Sequence, residues 1–168
     1  MNIPNVLAQR YASSDMCSLW SPEAKIIAER ELWLAVLQAQ IDLGLDLPAS
    51  AVADYRGVIS QVNLESIDAR ERVTKHDVKA RIEEFNGLAG HELIHLGMTS
   101  RDLTENVEQM QILASLKLIR SKSVAALDRL AGLAIAYSEQ PMAGRSHNVP
   151  AQMTTLGKRF ATITDEAL

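Results

Sequence analysis

The chain is poor in the residues that staple or punctuate a fold. Its 168 residues include one cysteine, Cys17. That excludes an internal disulfide and a CxxC metal site, and leaves a small apolar side chain suited to a reducing compartment. Aromatic residues make up only 4% of the chain, and there are 8 Gly and 5 Pro. All-β folds need aromatic or β-branched strands separated by frequent turn residues, so this scarcity argues for helices. Basic charge is not in excess: 17 Lys and Arg stand against 21 Asp and Glu, a net charge of -4. A nucleic acid would meet no attracting field, and none is expected as a partner. No apolar run reaches the roughly 18 residues of a membrane span, and the opening MNIPNVLAQRYASS has no signal-peptide core. The expected protein is cytoplasmic, with no membrane partner. No repeat or low-complexity segment is visible.

What is present is helical periodicity. Ser21-Pro22-Glu23 reads as a first helix start, with a capping hydroxyl, a proline suited to the first turn and a carboxylate at the positive helix end. This helix is expected to run to about Leu43, with Ile26, Trp33, Val36, Leu37 and Ile41 on one face and Gly44 as its left-handed stop. Pro48 and Ala49-Ser50 open a second short helix. A polar helix over Asn63 to Arg72 turns Leu64 and Ile67 inward; Thr74 to Asp77 interrupts, another helix follows from Val78 to Asn86, and Gly87 and Gly90 mark a turn. From Leu103 to Glu139 the spacing predicts one continuous helix, roughly 50 Å long. One stripe of it carries Ile112, Leu113, Leu116, Ile119, Leu127, Leu130 and Ala134, and the opposite side carries Leu103, Val107, Met110, Ala114, Leu118 and Ala125. A helix apolar on two sides is covered on two sides, so a homo-oligomer or a larger chain is implied. Thr154-Thr155-Leu156 starts a last helix. The expected fold is all-α, with a small domain of short helices over 1–98 and the first part of a long-helix bundle over 99–168.

Four polar clusters have chemistry to offer. Arg10-Tyr11, ahead of the first expected helix, is either a surface pair or a phosphate clamp. Lys75-His76-Asp77 gathers a cation, an imidazole and a carboxylate in a break between helices. Thr99 and Ser100 open the long helix, where free N–H groups suit an anion, although Ser100 can equally be a simple cap. Gly144 to Pro150 reads as a loop between helices, and His147 in it is placed to act as a general acid. His91 and His95 spell HELIH, which matches the HExxH zinc pattern. The flanking Gly90 and Gly97 deny it a sustained helix and no third ligand follows, so both histidines are read as packing or supporting groups.

In order and spacing these clusters resemble the adenylosuccinate lyases of the fumarase/aspartase superfamily. The carriers are RYAS, M and LWSPEAK over 10–25, TKHDV over 74–78, HLGMTSRDLTEN over 95–106 and GRSHNVPAQMTTLGKRFA over 144–161. The resemblance implies an all-α homotetramer built from a much longer chain, of which this is the amino-terminal domain and the start of the bundle. It implies β-elimination of fumarate from adenylosuccinate, giving AMP, and from the succinylated aminoimidazole carboxamide ribotide of purine synthesis. His147 then falls on the general acid that protonates the departing nitrogen. Arg10 and Tyr11 fall on phosphate and nucleotide contacts, Lys75, His76 and Asp77 on a substrate-binding loop, and Thr99 with Ser100 on contacts to the succinyl part. No cofactor and no metal is expected; the partner is a small purine nucleotide.

The sequence departs from the family pattern in places. Ser146 and Asn148 flank His147 where Thr and Gly are commoner, and Lys75 stands where Arg is frequent, a point charge in place of a fork. The SSxMPxKxN loop that supplies the serine base is absent, and the family site draws on three subunits, so the 168 residues alone are expected to be inactive. The other readings are a sister lyase of the superfamily and a non-catalytic helical module for oligomerisation or partner binding.

Overall fold

A computed structural model describes residues 5–48 and 50–168. The chain forms α1 (Val6–Tyr11), α2 (Ser14–Leu19), α3 (Pro22–Asp42), α4 (Ser50–Val58), α5 (Leu64–Thr74), α6 (Asp77–Ala89), α7 (Ser100–Ala136), β1 (Pro141–Ser146), β2 (Val149–Thr155) and α8 (Leu156–Glu166). The fold is all-α apart from one hairpin. Two compact units divide at residue 115. No helix among the described residues is long and apolar enough to cross a membrane.

Local chemistry accounts for most of the boundaries. The Ser21 hydroxyl accepts from the Ala24 N–H at the start of α3, with Pro22 in the first turn. At its other end Gly44, at φ 89°, lets its N–H donate to the Ile41 carbonyl at 2.9 Å and that of Leu45 to Gln40 at 3.0 Å. Those two bonds close the Schellman stop that the glycine predicts. Asn63 caps α5 through the Ser66 N–H, and Thr155 caps α8 through that of Lys158. Two expectations are corrected. Helices precede Ser21: Asn5 and Ser13 cap the six-residue α1 and α2, too short to show a period. And α6 runs through Gly87, stopping only at the left-handed Gly90. The expected helix opening at Ala49 lies outside the described residues; α4 is seen from Ser50.

In the first unit the core joins Trp33, Leu34 and Leu37 of α3 to Ala51, Val52 and Tyr55 of α4, Val78 and Phe85 of α6, Ile94, and Leu103 of α7. A smaller cluster of Ile26, Ile67 and Ala80 ties α3, α5 and α6. The start of α7 is pinned by its buried Gln111, which donates to the Leu19 carbonyl at 2.9 Å, and by Ser115, which accepts from the Trp20 indole at 2.9 Å.

The second unit holds the main departure from expectation. Residues 144–150, read as a loop between helices, lie within an antiparallel hairpin over 141–155 in which Ser146 pairs with Val149 and Pro141 with Thr155, with a bulge between Ala143 and Arg145. Its two-residue turn is His147-Asn148, at φ 51° and 63°. Both positive values are what a type I′ turn requires, and without the usual glycine its signature is easily missed. Beyond the hairpin, the Gly157 N–H donates to the Tyr137 carbonyl at 2.8 Å, seating α8 on the end of α7. A Cβ on Gly157 would fall 2.4 Å from the Ala134 carbonyl oxygen.

Candidate functional site

The break between α5 and α6 is two residues long because each residue does a capping job. Lys75 takes the left-handed conformation at φ 54°, and its N–H donates to the Glu71 carbonyl at 2.8 Å. His76 is the N-cap of α6, its Nδ1 accepting from the Lys79 N–H at 3.3 Å. Thr74 closes the loop: its hydroxyl donates to the His76 carbonyl at 3.1 Å. Because Nδ1 is an acceptor, the ring proton sits on Nε2 of a half-exposed imidazole. One Asp77 oxygen, Oδ1, lies 3.6 Å from that Nδ1, and the other, Oδ2, accepts from Arg81 Nη2 at 2.8 Å. Partial burial would raise the Asp77 pKa, but the Val78 N–H, the Arg81 guanidinium and His76 outweigh it and hold the carboxyl below its ordinary value.

The second element is the segment before α7. Residues 91–95 are not helical, so HELIH does not present two imidazoles on one face. His91 Nε2 meets Asp54 Oδ2 at 2.8 Å, whereas His95 Nδ1 accepts from the Trp33 indole at 3.0 Å. Among the described residues no group of three His, Cys, Asp or Glu side chains is placed to hold a metal. His95, left-handed at φ 64°, is held below the ordinary imidazole range by burial; the Asp102 carboxylate opposes that shift and His76 adds to it. At the start of α7 Thr99, and not Ser100, is the N-cap. Its hydroxyl accepts from the Asp102 N–H at 3.4 Å, and its own N–H donates to Asp102 Oδ2 at 2.7 Å, a reciprocal cap that occupies part of the helix end. Ser100 is the first residue of the helix.

The Lys75–His76–Asp77 loop and the Thr99–Ser100 helix start both lie in the first unit, as does His95, an imidazole the sequence assigns to packing. The Trp33 bond leaves its proton on Nε2, as the Lys79 bond does for His76. One ring N–H donor on each imidazole, with the exposed Lys75 ammonium, suits an anionic ligand. No spacing rule reveals His95, because its indole partner lies 62 residues away in the chain.

Sequence reasoning also missed the ions beneath the loop. Glu29 and Arg30 of α3 are fully buried, and Arg81 and Glu84 of α6 nearly so. Arg30 pairs with Glu84, donates to the Val58 and Ile59 carbonyls at 3.1 and 2.8 Å, and stacks over the Phe85 ring. Arg81 Nε lies 2.7 Å from Glu29 Oε2, an ion pair rather than an aligned hydrogen bond, since neither atom has a hydrogen-bonding partner. Burial raises the Glu29 pKa and lowers that of Arg30, each opposed by its ionic partners.

Arg10 and Tyr11 end α1 with both side chains exposed. In the second unit His147 sits exposed at the hairpin tip. Arg145 behind it donates to the Asn148 carbonyl at 3.0 Å, bracing the turn. A cavity of about 430 Å³ between hairpin and α8 is lined by Arg145, Lys158 and Arg159 among others.

A protein-family profile described as lyase matches residues 13–167. Adenylosuccinate lyase of Saccharomyces cerevisiae is 34% identical over 172 residues, covering 99% of this chain and 36% of the yeast enzyme. N-acetyl-S-(2-succino)cysteine lyase of Enterococcus italicus is 27% identical over 165 residues, 96% of this chain and 36% of that protein. The chain therefore spans about a third of the length of these relatives. Among solved structures, the fumarate lyase of Mesorhizobium sp. BNC1 superposes with a TM-score of 0.80 at 25% identity, over 92% of this chain and 37% of that one.

Proposed function

Since the chain belongs to the lyase family of the fumarase/aspartase superfamily, we propose that it forms part of an adenylosuccinate lyase. In this reading the reaction is β-elimination of fumarate from adenylosuccinate, yielding AMP, and from the succinylated aminoimidazole carboxamide ribotide of purine synthesis. What carries it is the match to adenylosuccinate lyase of Saccharomyces cerevisiae along 99% of the chain, which takes in the Lys75–His76–Asp77 loop, the Thr99–Ser100 helix start and the His147 turn. Adenylosuccinate has two carboxylates and a phosphate, and a chain of net charge -4 holds such a ligand only through local donors.

His147 is the general acid in this reading. It protonates the departing nitrogen as the C–N bond breaks, while a base outside the 168 residues removes the proton from the adjacent carbon. Arg10 and Tyr11 contact the nucleotide phosphate, and Thr99 and Ser100 the succinyl part. No cofactor or metal takes part. The active form is a cytoplasmic homo-oligomer, a tetramer by the resemblance, with 1–98 as the amino-terminal domain and 99–168 opening the bundle. The residues alone do not turn over. The Enterococcus relative supports a second reading, a lyase acting on another succino-substituted compound.

Titration with AMP and with adenylosuccinate, followed by backbone amide NMR, tests the proposal. Shifts centred on Lys75, His76, Thr99 and His147 are expected, in the chain alone or in an assembled lyase containing it. No response to either nucleotide in both preparations overturns it, and a response to other succino-substituted compounds alone favours the second reading.

A further inference from the structure

The buried pair Glu29–Arg81 is poorly explained by stability. Two charges taken from water lose more solvation than their attraction commonly returns, and well-packed apolar side chains would serve the core as well. What the pair supplies is direction. A guanidinium presents a planar fork, and Arg81 uses two arms of it at once: Nε faces Glu29 Oε2 at 2.7 Å inside the core, and Nη2 reaches Asp77 Oδ2 at 2.8 Å at the surface. Lysine, a single point charge, cannot meet both. The far oxygen of the same Asp77 carboxylate lies 3.6 Å from His76 Nδ1, the atom that caps α6. One line of contacts thus runs from a fully buried carboxylate on α3, through Arg81, to the exposed imidazole.

We infer that Arg81, anchored on Glu29, is a positioning residue: it holds the Asp77 carboxylate over the first turn of α6 and so keeps His76 capped at Nδ1 with its Nε2–H turned to the ligand. The inference rests on the proposed reading only in taking His76 as a ligand contact. Without Arg81 the Asp77 carboxylate is free to turn toward the imidazole and draw the ring proton to Nδ1, which then can no longer accept from the Lys79 N–H. The ring then loses its fixed tautomer and orientation.

The test uses the 168-residue chain and reads the ring-nitrogen NMR signature of His76 and the hydrogen exchange of the Lys79 amide. In Arg81→Gln and Arg81→Lys, the His76 nitrogens are expected to move toward the averaged values of a free imidazole. Lys79 exchange should quicken roughly tenfold, the scale of one lost hydrogen bond. Phe85→Leu, which weakens the core without touching Asp77, serves as the stability control and should leave the His76 signature in place. A parental His76 signature and parental Lys79 exchange in both Arg81 variants overturn the inference. If neither folds, Asp77→Asn cuts the same line at its exposed end, and unchanged His76 and Lys79 signals there overturn it equally. These readings need no nucleotide: failure of AMP to bind the parent chain removes the functional reading and leaves the positioning result standing.

Discussion

Residues up to 115 and residues 116–168 dispose of their apolar side chains in different ways. In the first unit Trp33, Leu37, Tyr55, Phe85, Leu103 and Val107 are at most 1% exposed, because helices of 6 to 21 residues cross one another and each covers its neighbour's face. In the second, Leu116, Ile119, Val124 and Ile135 are all more than half exposed, and among the described residues only Gly157 is buried. The same helix, α7, supplies both kinds: its first two turns lie in a core and its later turns do not. Helical spacing of apolar residues therefore states that a face is to be covered, without saying by what. The second unit holds together by backbone bonds, the close approach at Gly157 and the Tyr137–Phe160 ring pair.

The strongest way to break the comparison is functional. If the second unit carries the acid and the first the binding groups, His147→Gln in a competent lyase assembly containing this chain should lower kcat by about 10²- to 10⁴-fold with little change in KM. Lys75→Ala should mainly raise KM. His91→Gln, which removes the contacts to Asp54 and the Tyr55 ring, should affect stability or nothing. Wild-type turnover in His147→Gln, or lost turnover in a normally folded His91→Gln, would put the acid on the wrong histidine.

Next in size is the packing contrast. Phe85→Ala should cost about 3–5 kcal/mol in urea unfolding followed by tryptophan fluorescence, whereas Leu116→Ala in monomeric chain should stay within about 0.5 kcal/mol. A cost at Leu116 that grows with protein concentration would identify another copy as its cover. Smaller again, Gly157→Ala forces a methyl onto the Ala134 carbonyl and should cost about 1–3 kcal/mol, seen as faster amide exchange in α8 with the first unit unaffected.

The smallest effect is in pH. His95 has its folded-state pKa below the ordinary 6.5, chiefly by burial. The unfolded chain therefore binds the proton more readily, and stability present above pH 6.5 is lost as pH falls toward the folded value. His95→Gln should flatten that part of the melting temperature profile between about pH 7.5 and 5. Asp77 adds the usual carboxylate loss at lower pH, since its pKa is also depressed. An unchanged slope in His95→Gln would show that the imidazole is not desolvated.

Much of this was legible because caps and stops are local. Ser21-Pro22-Glu23, Gly44, Asn63 and Thr155 each act on backbone groups within five residues, so their meaning survives any tertiary setting. The polar clusters at 75–77, 99–100 and 147 were likewise visible as breaks in periodicity. The charged core was not: Glu29 and Arg30 look like the solvent face of α3 until α6 brings Arg81 and Glu84 against them. The hairpin was missed because its strands contain one β-branched residue apart from the two closing threonines, and its turn is His-Asn.

By itself the sequence determined the helical class, most helix ends and the residues able to carry chemistry, since capping, periodicity and side-chain type act over a few bonds or one helical turn. Only the tertiary structure decided that Trp33 fixes His95, that Arg30 meets Glu84, and that buried Glu29 meets Arg81. Those contacts join residues 52 to 62 apart in the chain, and only packing sets which side chains meet there.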